Sequence, residues 1–295
     1  MAIPPQSLAR ADTGLTPIAG YELTGTDPRF GGLSGLAVRA DGRALLAVGD
    51  RGLWVSMDLA FEDGVPVPTG RVEIAPLLGP DGRPLEGADA DAESLRMDGE
   101  SALVSFERHH RILRYAPDAS GSFLASPGRA LALPPDIGDQ KANNGIEAFL
   151  RLADGRLLLF SEERSGSGNP AWLCCGAGED GYRFTIGWPG PHVPTDAARL
   201  EAGDMFVLLR HFSPADGVSA RLLRIPRSLF DGRPGPIDAG SAGSVLLTLE
   251  PPHAVDNMEG LAILERLGSK PLLFLLSDDN FSPLQRTLLL VYRLE

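Results

Sequence analysis

Several things are scarce in this chain, and each scarcity removes a class of protein. Only two of its 295 residues are cysteine, Cys174 and Cys175, so neither a Cys/His zinc spacing nor a disulfide framework can be built. Neighbours on a strand point to opposite faces, so the expectation for this adjacent pair is two buried thiols and no disulfide between them. No apolar run approaches the roughly 18 residues that cross a bilayer, which excludes a transmembrane helix. Basic residues are in deficit: 27 Lys and Arg stand against 39 Asp and Glu, for a net charge of -12 and a pI near 4.9. Such a surface repels a phosphate backbone and offers no footprint for nucleic acid. Residues 1–10 show no basic stretch followed by an apolar one, so no export signal is visible there. Helical periodicity is weak throughout.

What is abundant is turn chemistry and short apolar runs, with 35 Gly, 25 Pro and 43% hydrophobic residues. Residues 34–50 and 146–162 carry one pattern twice: an apolar strand, an Asp-Gly turn at Asp41-Gly42 or Asp154-Gly155, and a second apolar strand. Both read as β-hairpins. Three weaker copies follow the same plan, around Asp98-Gly99, around Gly203-Asp204, and with a longer turn near Gly268. The matching positions Ser34, Glu93, Glu147, Asp196 and Glu259 recur at intervals of about fifty to sixty residues, the period of propeller blades.

Each hairpin is followed by two more strand-like runs, giving four strands per unit. The last unit is one strand short, and residues 17–24 can supply it, closing the ring with strands from both ends of the chain and leaving no open edge. The expectation is an all-β fold, a single β-propeller domain over residues 1–295 with five blades. The alternative is six, the extra blade lying in 77–91 or 214–243, where Gly, Pro and Asp dominate.

A hairpin brings the start of its first strand and the end of its second to the same side. One mouth of the channel should therefore collect Ser34, Glu93, Glu147, Asp196 and Glu259 together with Asp50-Arg51, Glu107-Arg108, Glu162-Glu163, Arg210-His211 and Asp278-Asp279. Carboxylates crowded in this way raise one another's pKa values unless a cation compensates. Hard oxygen donors, with Asn143, Asn144 and Asn257 just before two of the strand starts, suit Ca²⁺. The metal-ligand candidates are Glu93, Glu147, Glu259 and Asp278. Equally, such acids can cap loops without any metal, and Arg51, Arg108 and Arg210 can be plain ion-pair partners or can hold an anionic substrate.

Other catalytic patterns are thin. Ser34 lies in Gly-Leu-Ser-Gly-Leu and lacks the second spaced glycine of a nucleophile elbow. The run 165–169 is Gly/Ser-rich without the lysine of a phosphate-binding loop and reads as a mouth loop. His211 is the histidine at a mouth position and a candidate base; His109 and His110 read as a solvent-facing loop.

Four segments taken together, Phe30-Gly-Gly-Leu-Ser-Gly-Leu36, Gly49-Asp-Arg-Gly52, Ser105-Phe-Glu-Arg108 and the run 276–286 (LSDDNFSPLQR), resemble the phytase-like family labelled "esterase-like activity of phytase". The resemblance covers the chain from about Phe30 onward. It implies a periplasmic or secreted bacterial β-propeller acting on ester or phosphoester bonds with Ca²⁺. One departure is Leu209, near which the resemblance leads one to expect an acid.

Two functional readings stay open at this stage. In the first, a metal-assisted hydrolase takes a small anionic or ester substrate, with Glu107 or Glu162 as general base and Arg51 and Arg108 holding the anion. In the second, the same mouth binds a ligand or a protein without catalysis; a sugar- or lactone-processing propeller would rest on the same carboxylates. The chain itself is expected to be a monomer.

Overall fold

The computed structural model describes residues 1–11, 14–164, 166, 168–176, 181–232 and 234–295. It is an all-β, five-bladed propeller. Blade 1 is built from Leu33–Val38, Ala44–Gly49, Leu53–Glu62 and Val65–Pro76. Blade 2 follows with Ala92–Asp98, Ser101–Phe106, Arg111–Tyr115 and the short Arg129–Ala130. Blade 3 comprises Ile146–Arg151, Leu157–Ser161, Asn169–Cys174 and Tyr182–Gly187, and blade 4 comprises Val193–Arg199, Met205–Ser213, Gly217–Ile225 and Ser244–Leu249. Blade 5 takes Asn257–Leu264, Leu272–Asp278 and Thr287–Leu294 from the end of the chain, and Leu15–Leu23 from its beginning. The first strands pack on one another in order around the axis, the fifth against the first.

Every blade is covered on both sides, which explains why its inner strands are continuously apolar instead of alternating. On Leu157–Ser161, Leu157 and Leu159 pack toward blade 2 while Leu158 and Phe160 pack toward blade 4. Five such clusters, one between each pair of neighbouring blades, make up the core. The Asp-Gly turns behave as their chemistry requires, with Gly42 and Gly155 at φ of 70° and 90°.

Neither 77–91 nor the described part of 214–243 holds a sixth blade. The latter contributes a 3-10 turn at Arg227–Phe230 and the two-residue strand Ile237–Asp238, which adds in parallel to the outer edge of blade 3. Closure of blade 5 follows the expected route: Leu15–Leu23 pairs antiparallel with Thr287–Leu294. Among the described residues no helix is long and apolar enough to cross a membrane. Ser165 and Ser167 of the Gly/Ser-rich run lie outside the described residues.

Cys174 and Cys175 correct the expectation of two free thiols, for they form a disulfide with each other. Alternation of side chains holds only within a strand, and Cys174 is the last strand residue. Cys175 turns to φ +67°, which removes the opposition of the two side chains.

Candidate functional site

The first strand of every blade carries a β-bulge near its start. The pairing with the second strand slips between Leu33 and Gly35, Ala92 and Leu95, Ile146 and Ala148, Pro194 and Asp196, and Met258 and Gly260. A bulge re-aims the residue it inserts. In three blades that residue is an acid, Glu93, Glu147 or Glu259, and in blade 1 it is Ser34; all four line one pocket at the channel mouth. In blade 4 the inserted residue is Thr195, whose hydroxyl is buried and donates to the Met258 carbonyl at 2.9 Å. The sequence alignment had placed Asp196 there. The bulge shifts Asp196 one position deeper, where it is fully buried.

At that depth Asp196 pairs with Arg96 and accepts from Ser94 Oγ at 2.7 Å and from the Leu261 amide at 2.6 Å. The Arg96 guanidinium donates to the carbonyls of Phe149, Leu36 and Leu261 at 2.9–3.0 Å. Arg96 and Asp196, with these acceptors and donors, tie together the inner strands of all five blades on the channel axis. The mouth above is a pocket of about 850 Å³.

The ends of the second strands supply the rest of its wall, and alternation sorts each expected pair. Asp50, Glu107, Glu162, Arg210 and Asp278 line the pocket; of their successors only Arg108 does. Arg51 lies over the ring of Phe281, Glu163 pairs with Lys141, and Asp279 anchors the following loop. His211 turns away from the pocket toward Asp216, with its ring 5.5 Å from that of His192. His109 is exposed beside Asp89, as a loop residue should be. Asn143 and Asn257 reach the pocket, whereas Asn144 offers its carbonyl to Ser161.

Two acids that sequence reasoning passed over also line the pocket, Asp91 and Asp256. Asp91 lies two residues before Glu93, the spacing that returns a side chain to the same face of a strand, and this was the available signal. It pairs with Arg108 at 2.5 Å. Asp256 accepts from the Arg286 amide at 3.1 Å.

Arg210 stands where an acid was looked for in blade 4. Its guanidinium is 3.2 Å from Glu259 and 4.0 Å from Glu162, and Glu259 holds its pKa above the ordinary arginine value. Arg108 pairs with Asp91 and Arg286 lies 3.6 Å from Asp256, and among the described residues Asp50, Glu93, Glu107, Glu147 and Asp278 form no ion pair. Burial pushes the Asp50 carboxyl up to about 6, opposed by the Ser34 hydroxyl that donates to it and reinforced by Asp91. Burial likewise raises Glu107 to about 7, although the Gly145 amide opposes it, and Glu259 to about 7 despite Arg210. Asp278 reaches about 8, from burial first and Asp50 second. Glu93 and Glu147 are driven well above the usual carboxylate range by burial and by the acids around them. Burial leads every one of these shifts and neighbouring acids add to it, so the pocket's carboxyls hold their protons more tightly than free ones unless a cation enters.

The donor set fits a hard divalent cation. Asp91, Glu93 and Glu107 form one group and Glu107, Glu147 and Glu162 another, each able to present carboxylate oxygens within 4.8 Å of one another. Oxygens bound at roughly 2.3–2.6 Å around a single Ca²⁺ span about that distance. Glu107 belongs to both groups. Among the described residues these are the only such groups, and neither contains a histidine or cysteine.

Residues 28–281 match the model of the phytase-like family described as esterase-like activity of phytase. A search of curated proteins found no match. Among solved structures, a protein of unknown function from Dyadobacter fermentans is similar at 10% identity and a TM-score of 0.51, covering 96% of this chain and all of that one. The PQQ-bound form of aldose sugar dehydrogenase from Streptomyces coelicolor is similar at 13% identity and a TM-score of 0.46, covering 95% and 100%. At 10% identity the likeness to the Dyadobacter fermentans protein is one of fold.

Proposed function

The chain belongs to the phytase-like family, and from that footing we propose that it is a metal-assisted hydrolase of phosphoester or related ester substrates, working in the pocket at the channel mouth. The observation that carries this reading is the uncompensated acidity of the pocket: Glu93 and Glu147, buried beside Glu107 and Glu162, have raised proton affinities that a divalent cation would relieve. Those four residues and Asp91 would hold the ion, with Ca²⁺ the best match to an all-oxygen donor set. When bound, such an ion polarises an ester or phosphoryl oxygen and favours ionisation of a water.

The protein's own groups divide the remaining work. Arg108, half exposed at the rim and paired with Asp91, is placed to receive an anionic oxygen of the substrate. Arg210 is engaged by Glu259 and Glu162 and would position those carboxylates. Glu107 and Glu162 lie within the carboxylate groups, so the proton of an attacking water would pass to Asp50 or Asp278, which stand outside them. An exported location suits this reading, since extracellular and periplasmic compartments preserve disulfides such as Cys174–Cys175.

The test is calorimetric titration of chelator-treated protein with Ca²⁺, followed by turnover of phosphoesters and carboxylic esters with and without the ion. Micromolar binding that switches on turnover is the expected result. Binding without turnover would favour the second reading, a ligand-binding propeller. Absence of both would sink the metal-assisted mechanism.

A further inference from the structure

The pocket is not acidic all round. Three apolar side chains also line it: Phe212 and Val218, paired across the hairpin of blade 4, and Leu284 from the segment that follows the second strand of the neighbouring blade 5. Phe212 is 65% exposed and Leu284 91% exposed, and neither belongs to a core cluster. Arg108 and Asn143, from blades 2 and 3, add polar lining.

A single exposed leucine needs no explanation, but this one follows a constrained turn at residues 279–281. Asp279 accepts from the amides of Gly32 and Phe281 and from the Thr287 hydroxyl, each at 3.0 Å. Asn280 and Phe281 both adopt left-handed φ, 47° and 51°, which side chains disfavour. Strain of this kind persists where the surroundings impose it, and it gathers at binding sites. Here the imposed path turns the Phe281 ring onto Gly31 and Gly32 and brings Ser282 and Leu284 to the pocket wall.

We propose, building on the hydrolase reading above, that the substrate is amphipathic: a compact ester head lies at the carboxylates, and an aryl or alkyl group lies against Phe212, Val218 and Leu284. Covering these side chains removes apolar surface from water, so the apolar group adds affinity that the head alone cannot supply. A polyanion with charge on every side gains nothing there and would strip water from its charges against the apolar wall. Phe212 and Leu284 are thus specificity residues.

Phenylphosphonate and methylphosphonate, two non-hydrolysable probes that differ only in the apolar group, test this by calorimetric titration into Ca²⁺-loaded protein. The phenyl probe should bind about tenfold more tightly. Phe212→Ser and Leu284→Ser should each cut that ratio by at least about threefold. Both side chains are largely exposed, and a thermal melt checks that the variants are folded. Phenyl and methyl phosphates and the corresponding acetates are compared for turnover in parallel. Equal affinities, no binding of either probe, or a ratio indifferent to both substitutions overturns the apolar wall, even if turnover is found. A phenyl preference that depends on Phe212 and Leu284 without turnover of any ester supports the wall and removes the hydrolase reading.

Discussion

The guanidinium of Arg51 lies 3.4 Å from the centre of the Phe281 ring, clasping blade 1 to blade 5 at the seam where the ring of blades closes. Beneath the ring lie Gly31 and Gly32, with φ of 140° and 59°, where a side chain would collide with Asp279 at the first and with Phe281 at the second. Three of the sequence segments that carry the family resemblance therefore meet at one contact.

Breaking this clasp should loosen the seam. Arg51→Ala is expected to destabilise by about 1 kcal/mol, within the range of a cation–π contact. Gly32→Ala should lose more, roughly 1–3 kcal/mol, since it combines a collision with an unfavourable φ. Urea unfolding measures both; an unaltered midpoint in Gly32→Ala would show that the seam adapts freely.

The stability of the metal-free protein should fall as pH rises. Asp50, Glu107, Glu259 and Asp278 have folded-state pKa values of about 6, 7, 7 and 8, all above the roughly 4 of an unfolded carboxylate. Between pH 4 and 8 the native state thus binds more protons than the unfolded one. Their contribution is fully present below pH 4 and is lost as pH climbs through 6 to 8. Saturating Ca²⁺ should raise the melting temperature more at pH 8 than at pH 5. A melting temperature of the chelated protein that rises steadily over this interval would contradict the assignment.

Glu147→Gln should move two observables in opposite directions. Burial first, and then Glu93, Glu162 and Glu107, oppose ionisation of Glu147, and glutamine has no proton to lose, so the metal-free protein should lose less stability as pH rises. The same change removes a ligand, and Ca²⁺ affinity should drop at least about tenfold. If affinity is retained, Glu147 is no ligand.

Arg96→Met should be severe. It leaves Asp196 buried without its cation, a change that costs about 3–5 kcal/mol. Replacing both partners, as Arg96→Met with Asp196→Leu, should recover much of the loss. Equal destabilisation in the single and double variants would argue that hydrogen bonds to the carbonyls of Leu36, Phe149 and Leu261 dominate over the ion pair.

Much of this architecture was legible in the sequence because the hairpin is a local object. Asp-Gly turns and paired apolar runs fix each repeat, and the deficit of one strand in the last repeat points to residues near the start. What the repeat could not convey is the register at the mouth. Ser34, Glu93, Glu147 and Glu259 align across blades, but the bulge that puts Thr195 in their place is a property of backbone pairing, and Asp196 looked equivalent. Alternation then separates neighbours that appear interchangeable: Arg210 lines the pocket while His211 does not, and Asp50 does while Arg51 serves the seam. The Cys174–Cys175 bond was hidden for a similar reason, since it depends on one residue leaving the strand conformation.

Blade 5 also sets the order in which the molecule can be completed. Leu15–Leu23 leaves the ribosome long before the strand it borders, Thr287–Leu294. Four blades can assemble from neighbouring sequence while the early strand waits without a partner. The final joining is then a long-range event in a nearly finished ring, and a nascent chain arrested before residue 287 should hold an open, chaperone-dependent horseshoe.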